Sequence, residues 1–147
     1  MRPGAKWGTF VANVTTSIQQ RLQQLRNSLL ALHKTLVDSE RVSYEKAIGA
    51  IPSANHFFHL LTHDPWFAWL HPLSQLIVAM DVALDEKEPL TTVDVDALVN
   101  QTRLLLVASE TGEGFSKHYF EALQRDPDVV LAHGQVAKQL RPGKGPA

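Results

Sequence analysis

Cysteine is absent from the 147 residues, which excludes disulfides, thiolate nucleophiles and metal centres held by sulfur. Excess charge is missing too: fourteen Lys and Arg stand against fifteen Asp and Glu, for a net charge of −1. A chain so balanced has no general attraction for nucleic acid or for an anionic membrane surface. Long apolar runs are scarce. The uncharged stretch Pro65 to Met80 is short for a membrane span and is interrupted by His71 and Pro72. The first residues reach Trp7 and Phe10 without the continuous apolar segment of a signal peptide. These absences predict a cytoplasmic protein with neither a nucleic-acid nor a membrane partner. No serine sits in a nucleophile-elbow context, and Gly112 and Gly114 lack the spacing of a phosphate loop. Strand-type alternation is also missing, and no internal repeat supports a solenoid.

What the sequence does contain is a leucine seam. Ile18, Leu22, Leu25, Leu29, Leu32 and Leu36 recur alternately four and three positions apart, which lines one side of a single long helix. An amphipathic helix gains most of its stability from packing, so other helices must cover the seam. Beyond Leu36 the same stripe continues as Ser39, Glu40, Ser43 and Ala47, so it either approaches a neighbour closely or faces water. Capping residues place the start of this helix near Asn13 to Thr16, and Gly49 to Pro52 end it.

Ser53 caps a short second helix running to Thr62 or His63, and His63-Asp64-Pro65 restarts the chain. The aromatic segment Trp66, Phe67, Trp69 reads as a plug at one end of the core, or alternatively as a ligand wall or partner anchor. The next helix starts at Pro72 and carries the stripe Leu73, Leu76, Ile77, Met80, Leu84. After the charged loop from Asp85 to Pro89, Thr91 and Thr92 cap a helix with the stripe Val95, Leu98, Val99, Thr102, Leu105, Leu106. Leu104 and Val107 lie off that stripe, so this helix is apolar on two sides and is expected to be the most buried. Two further helices, about Phe115 to Gln124 and Pro127 to Leu140, are separated by a second Asp-Pro restart at Asp126-Pro127. The prediction is an all-α, single-domain bundle of five or six helices with one long N-terminal helix. Residues 1–12 and 141–147 are read as flexible ends around a domain at 13–140, with Lys138, Arg141 and Lys144 marking a basic, solvated tail.

Candidate chemistry is sparse. His56, His59 and His63 fall within one arc of the second helix, and Asp64 adds a carboxylate beside them. They form the polar rim of an amphipathic helix or, alternatively, ligands for a transition metal such as iron or zinc. His59-x3-His63 and His59-x4-Asp64 resemble fragments of hemerythrin-like di-iron bundles. The His-x3-Glu element of those proteins is missing, as is the Glu-x-x-His pair of ferritin-like di-iron proteins. A second group, His33, Glu40 and Tyr44, lies along the edge of the seam. Glu40 either marks where the bundle opens to water or, if buried, takes a partner from His33, Tyr44 or an arginine of another helix. Asp81 has the same two readings. His71, His118 and His133 stand alone. Arg21, Arg26 and Lys34 form a weak basic face on the first helix.

No catalytic residue is assigned. The expected role is a non-catalytic self-association or protein-interaction module, a homodimer or other homo-oligomer joined through the Ile18 to Leu36 seam, or a receptor for a helical protein. The alternative is a metal-binding or metalloenzyme bundle on the histidines.

Overall fold

In the computed structural model the chain is described over residues 3–141, with side chains described from Thr16 onward. Helix α1 spans Pro3–Ala47, so it begins some ten residues before the capping residues Asn13 to Thr16 predict. Those residues are interior to it. Asn and Thr favour caps but cost an established helix only a few tenths of a kcal/mol each, and Pro3 occupies the first turn, where its missing N–H is no loss. At the other end Gly49, with φ of 148°, turns the chain away. The expected tail lies mostly outside the described residues.

The remaining elements follow their local signals. Helix α2 (Ala54–His63) is capped by Ser53, whose side chain accepts the His56 N–H at 3.0 Å. A 3₁₀ segment (Pro65–Leu70) begins where the Asp64 carboxylate accepts the Trp66 N–H at 2.8 Å. Helix α3 (His71–Asp85) follows directly. Helix α4 (Thr92–Leu105) opens with a capping box, Thr91 and Asp94 each accepting the other's backbone N–H. Gly114, at φ 61°, turns the chain into α5 (Phe115–Arg125). Helix α6 (Pro127–Leu140) uses its Asp-Pro start as predicted, with Asp126 accepting the Asp128 N–H at 2.9 Å. No strand occurs among the described residues, and the fold is the all-α bundle expected.

Helix α1 is the axis of the bundle. Contacts of Arg26 with Asp81 and of His33 with Ser74 run α3 antiparallel to it. The contact of Ser28 with Gln139 near the end of α6, and that of Ser39 with Arg125, which closes α5 two residues before α6 begins, do the same for α6. Helix α4 returns along α3, and its Arg103 donates to the Leu140 carbonyl at the end of α6. Helices α2 and α5 and the 3₁₀ segment close the end of the bundle near the C-terminus of α1. Leu22, Leu25, Leu29, Leu32 and Leu36 are all buried, with Ile18 half-buried. The neighbours that bury them are α3, α6 and α4 of the same chain. A second copy is therefore not needed to cover the seam, and the seam is not an available surface for one.

Charge distribution explains part of this arrangement. Residues 1–37 contain Arg2, Lys6, Arg21, Arg26 and Lys34 and no acidic side chain, whereas residues 71–110 contain seven carboxylates against Lys87 and Arg103. The α3–α4 hairpin lies against α1 with Arg26 paired to Asp81 at 2.7 Å and Arg21 to Asp96 at 3.2 Å. These pairs are partly exposed and each contributes at most about 1 kcal/mol, so they select the facing surfaces more than they stabilise them. They also settle Asp81 as a paired residue. Arg21 and Arg26 are engaged within the bundle and do not form a free basic face.

One expectation about burial is overturned. Helix α4 buries Val95, Leu98, Val99 and Thr102, but Leu104 is 70% exposed and Val107 is 51% exposed. Its second apolar side faces solvent because α3, α1 and α6 cover only the first. The 21-residue stretch Pro65–Asp85 is apolar enough by length and composition to cross a membrane, yet in this fold Leu73, Leu76, Ile77 and Met80 make it a core wall.

Candidate functional site

The polar continuation of the seam leads to a buried ion pair. Ser39 and Glu40 are buried, at 5% and 6% exposure, so the expectation that Glu40 faces water is corrected. The Arg125 guanidinium, from the end of α5, donates to Glu40 Oε1 at 3.0 Å and to Ser39 Oγ at 3.1 Å. Trp66 Nε1 donates to the other carboxylate oxygen at 2.9 Å. Both oxygens of Glu40 are thus satisfied by neighbours outside its own helix, which is what a carboxylate removed from water requires. Tyr44 packs edge-on against Trp66 with ring centroids 5.6 Å apart, and it also touches Phe67. The geometry ties α1, the 3₁₀ segment and α5 together. The aromatic segment is the core plug: Phe67 is fully buried and Trp69 nearly so.

A second buried group holds α5 to α6. Tyr119 is buried, and burial raises its phenol far above the usual value, so it stays protonated and shares a 2.6 Å hydrogen bond with His133 Nδ1. Phe115 stacks on Tyr119, and His118 stacks on Trp69 at 5.4 Å. On the other side of the bundle His33 Nε2 shares a 2.8 Å hydrogen bond with Ser74 Oγ. Burial lowers the pKa of both His33 and His133 from the ordinary 6.5. The unfolded chain then binds more protons than the folded one below that value. Stability should accordingly be full above about pH 6.5 and fall as the pH drops toward 5. Urea denaturation midpoints measured across this range should decline in the wild type, and His33→Asn with His133→Asn should flatten the decline. An equally steep fall in the double variant would assign the acid sensitivity to other groups.

The histidine ridge does not assemble a ligand set. His56, His59 and His63 are exposed on α2, and the His59 and His63 rings stack with centroids 4.5 Å apart. His63 Nδ1 lies 2.7 Å from Thr62 Oγ1, while Asp64 turns toward the Trp66 N–H. Among the described residues no three His, Asp or Glu side chains converge as a metal site. His71, read as solitary, meets the Leu61 carbonyl at 3.2 Å.

The open feature of the molecule lies between α3 and α4. A trough of about 470 Å³ runs between them, floored by Ala79, Ala83, Ala97 and Leu98. It continues toward the start of α3 as a second depression that shares Ala79 and Gln101 and reaches Pro72 and Leu105. From Pro72 to Glu86 this is about 21 Å at the helical rise per residue. Val82 (56% exposed) lines its α3 side, whereas Val93 (76%) and Leu104 (70%) are exposed on α4 without lining either depression. Glu86, Glu88 and Asp94 rim the loop end, and no cationic side chain lines the trough. The charged loop from Asp85 to Pro89, read in the sequence only as a connection, supplies part of its rim. No family model, curated protein or solved structure matches the chain.

Proposed function

We propose that this protein is a non-catalytic protein-interaction module that works through the α3–α4 face. The observation that carries this reading is the open trough lined by Ala79, Val82, Ala83 and Ala97, with Val93 and Leu104 also uncovered elsewhere on α4. Exposed aliphatic side chains scattered singly are ordinary, but one that lines an open groove between two helices marks a place where a partner can seat. Two antiparallel helices present a channel parallel to their axes, and a third helix seats there by placing its ridge of side chains between theirs. Alanine at the floor lets that ridge approach closely. The elongated shape favours a helix over a compact small molecule, which needs an enclosing pocket. The polar groups with the most perturbed environments, Glu40, Tyr119 and His133, are bonded to one another's elements inside the bundle. They support a structural role and not a reacting centre.

The test is photo-crosslinking from within the face. A photoreactive residue in place of Val82, in the full chain expressed in its own cells, should give a discrete protein adduct. The same residue in place of Val130, which is exposed on α6 away from the trough, should give none. No adduct from position 82, or the same adducts from both positions, would overturn the reading.

A further inference from the structure

We infer that the occupant of the α3–α4 trough is a basic amphipathic helix of another protein, with lysine or arginine flanking its apolar ridge. This rests on the reading of the α3–α4 face as an interaction surface, and it adds the chemistry of the partner. Three carboxylates line the loop end of the trough and no cation does. Glu86 and Glu88 are exposed and have no ion-pair partner among the described residues. They differ in this from Asp81 and Asp96 of the same hairpin, which are paired to arginines of α1. Lys87, between them in sequence, does not line the trough. The hairpin already binds one basic helix, α1, on its inner side, using two arginines beside an apolar seam. Its outer side offers related chemistry without a partner: the exposed Val82, alanines along the trough, and Glu86 and Glu88 without an ion pair at one end.

The charge count argues against a second copy in this position. Residues 71–110 carry Asp81, Asp85, Glu86, Glu88, Asp94, Asp96 and Glu110 against Lys87 and Arg103, and Arg103 is held by the Leu140 carbonyl. Two such hairpins face to face would bring like charges together, which disfavours that pairing. The same carboxylates repel anionic lipid and nucleic-acid phosphate. A cationic helix reverses the sign of every one of these terms.

The experiment uses the full chain and two labelled synthetic peptides of about four helical turns. Each has leucine at positions i, i+3, i+4 and i+7, one with lysine on the flanks and one with glutamate. Fluorescence anisotropy should show saturable binding of the lysine peptide and at least tenfold weaker binding of the glutamate peptide. Affinity for the lysine peptide should fall about fivefold in Glu86→Gln/Glu88→Gln, the effect of losing two exposed charge pairs. It should also weaken as salt is raised. Val82→Lys, at an exposed position, should abolish binding with no change in thermal midpoint. Equal binding of both peptides, still lost in Val82→Lys, overturns the basic-partner inference and leaves the interaction face standing. Binding indifferent to Val82→Lys, or no binding of either peptide, overturns both. The inference also falls if sedimentation shows a dimer that Val82→Lys dissociates, or if anionic vesicles capture the wild type and not that variant.

Discussion

Replacing Leu25 and Leu29 together by serine should unfold the protein, not merely separate subunits. Both side chains are buried by helices of the same chain. Truncating one buried leucine costs about 2–5 kcal/mol, most where the surroundings cannot collapse, and each new hydroxyl adds the cost of a polar group without a partner. Leu25 and Leu29 are one turn apart on the axis helix, so α3 and α6 cannot close both gaps at once. The combined loss rivals the 5–15 kcal/mol that holds a typical domain together. Circular dichroism at room temperature should show loss of most helical signal, and a double variant that stays folded with a cooperative melt would count against the account. Equilibrium sedimentation distinguishes the alternative, since a seam between copies would give a folded monomer.

Arg125→Ala is the second large effect. It removes a cation from a carboxylate whose side chain is only 7% exposed, leaving Glu40 with the Trp66 N–H alone. Breaking one side of a fully buried pair costs about 3–5 kcal/mol. Arg125 keeps 36% of its side chain in water, which places the expected loss at about 2–3 kcal/mol by the same comparison. For a chain of this length that is a fall in thermal midpoint on the order of 5–10 °C. Adding Glu40→Gln to the alanine variant should recover part of it, because the amide removes the unpaired charge and its oxygen still accepts from Trp66. A midpoint unchanged by Arg125→Ala would show that the pair contributes nothing to the fold.

The parts of this molecule that were legible in the sequence are those governed by local chemistry. Ser53, Asp64, Thr91 and Asp126 cap the elements their spacing predicts, and the Leu22 to Leu36 stripe is buried to its last residue. Periodicity says that a stripe is covered, but it does not say by which helix. The seam therefore reads equally as an intermolecular contact, and only the 111-residue separation between Ser28 and its partner Gln139 shows that the chain covers itself. Glu40 keeps two readings in the sequence for a related reason: its partners Trp66 and Arg125 lie 26 and 85 positions away. The start of α1 was missed because Asn13, Thr15 and Thr16 are as compatible with a helix interior as with a cap. For α4, two apolar sides suggested deep burial, whereas one of them is the open face.

The lid over half of the leucine seam is the last helix in order along the chain, and this has a consequence for how the protein is made. On the ribosome, α1 is synthesised first and can coil at once, yet the stripe that α6 covers has no cover until residue 140 has emerged. For most of its synthesis the nascent chain therefore displays a bare leucine ridge next to an acidic hairpin. Such a ridge is the kind of surface that chaperones hold and that aggregation exploits. Shortening the chain before α6 should leave that ridge permanently open, so a truncated protein would enter quality control even with α1 to α5 intact.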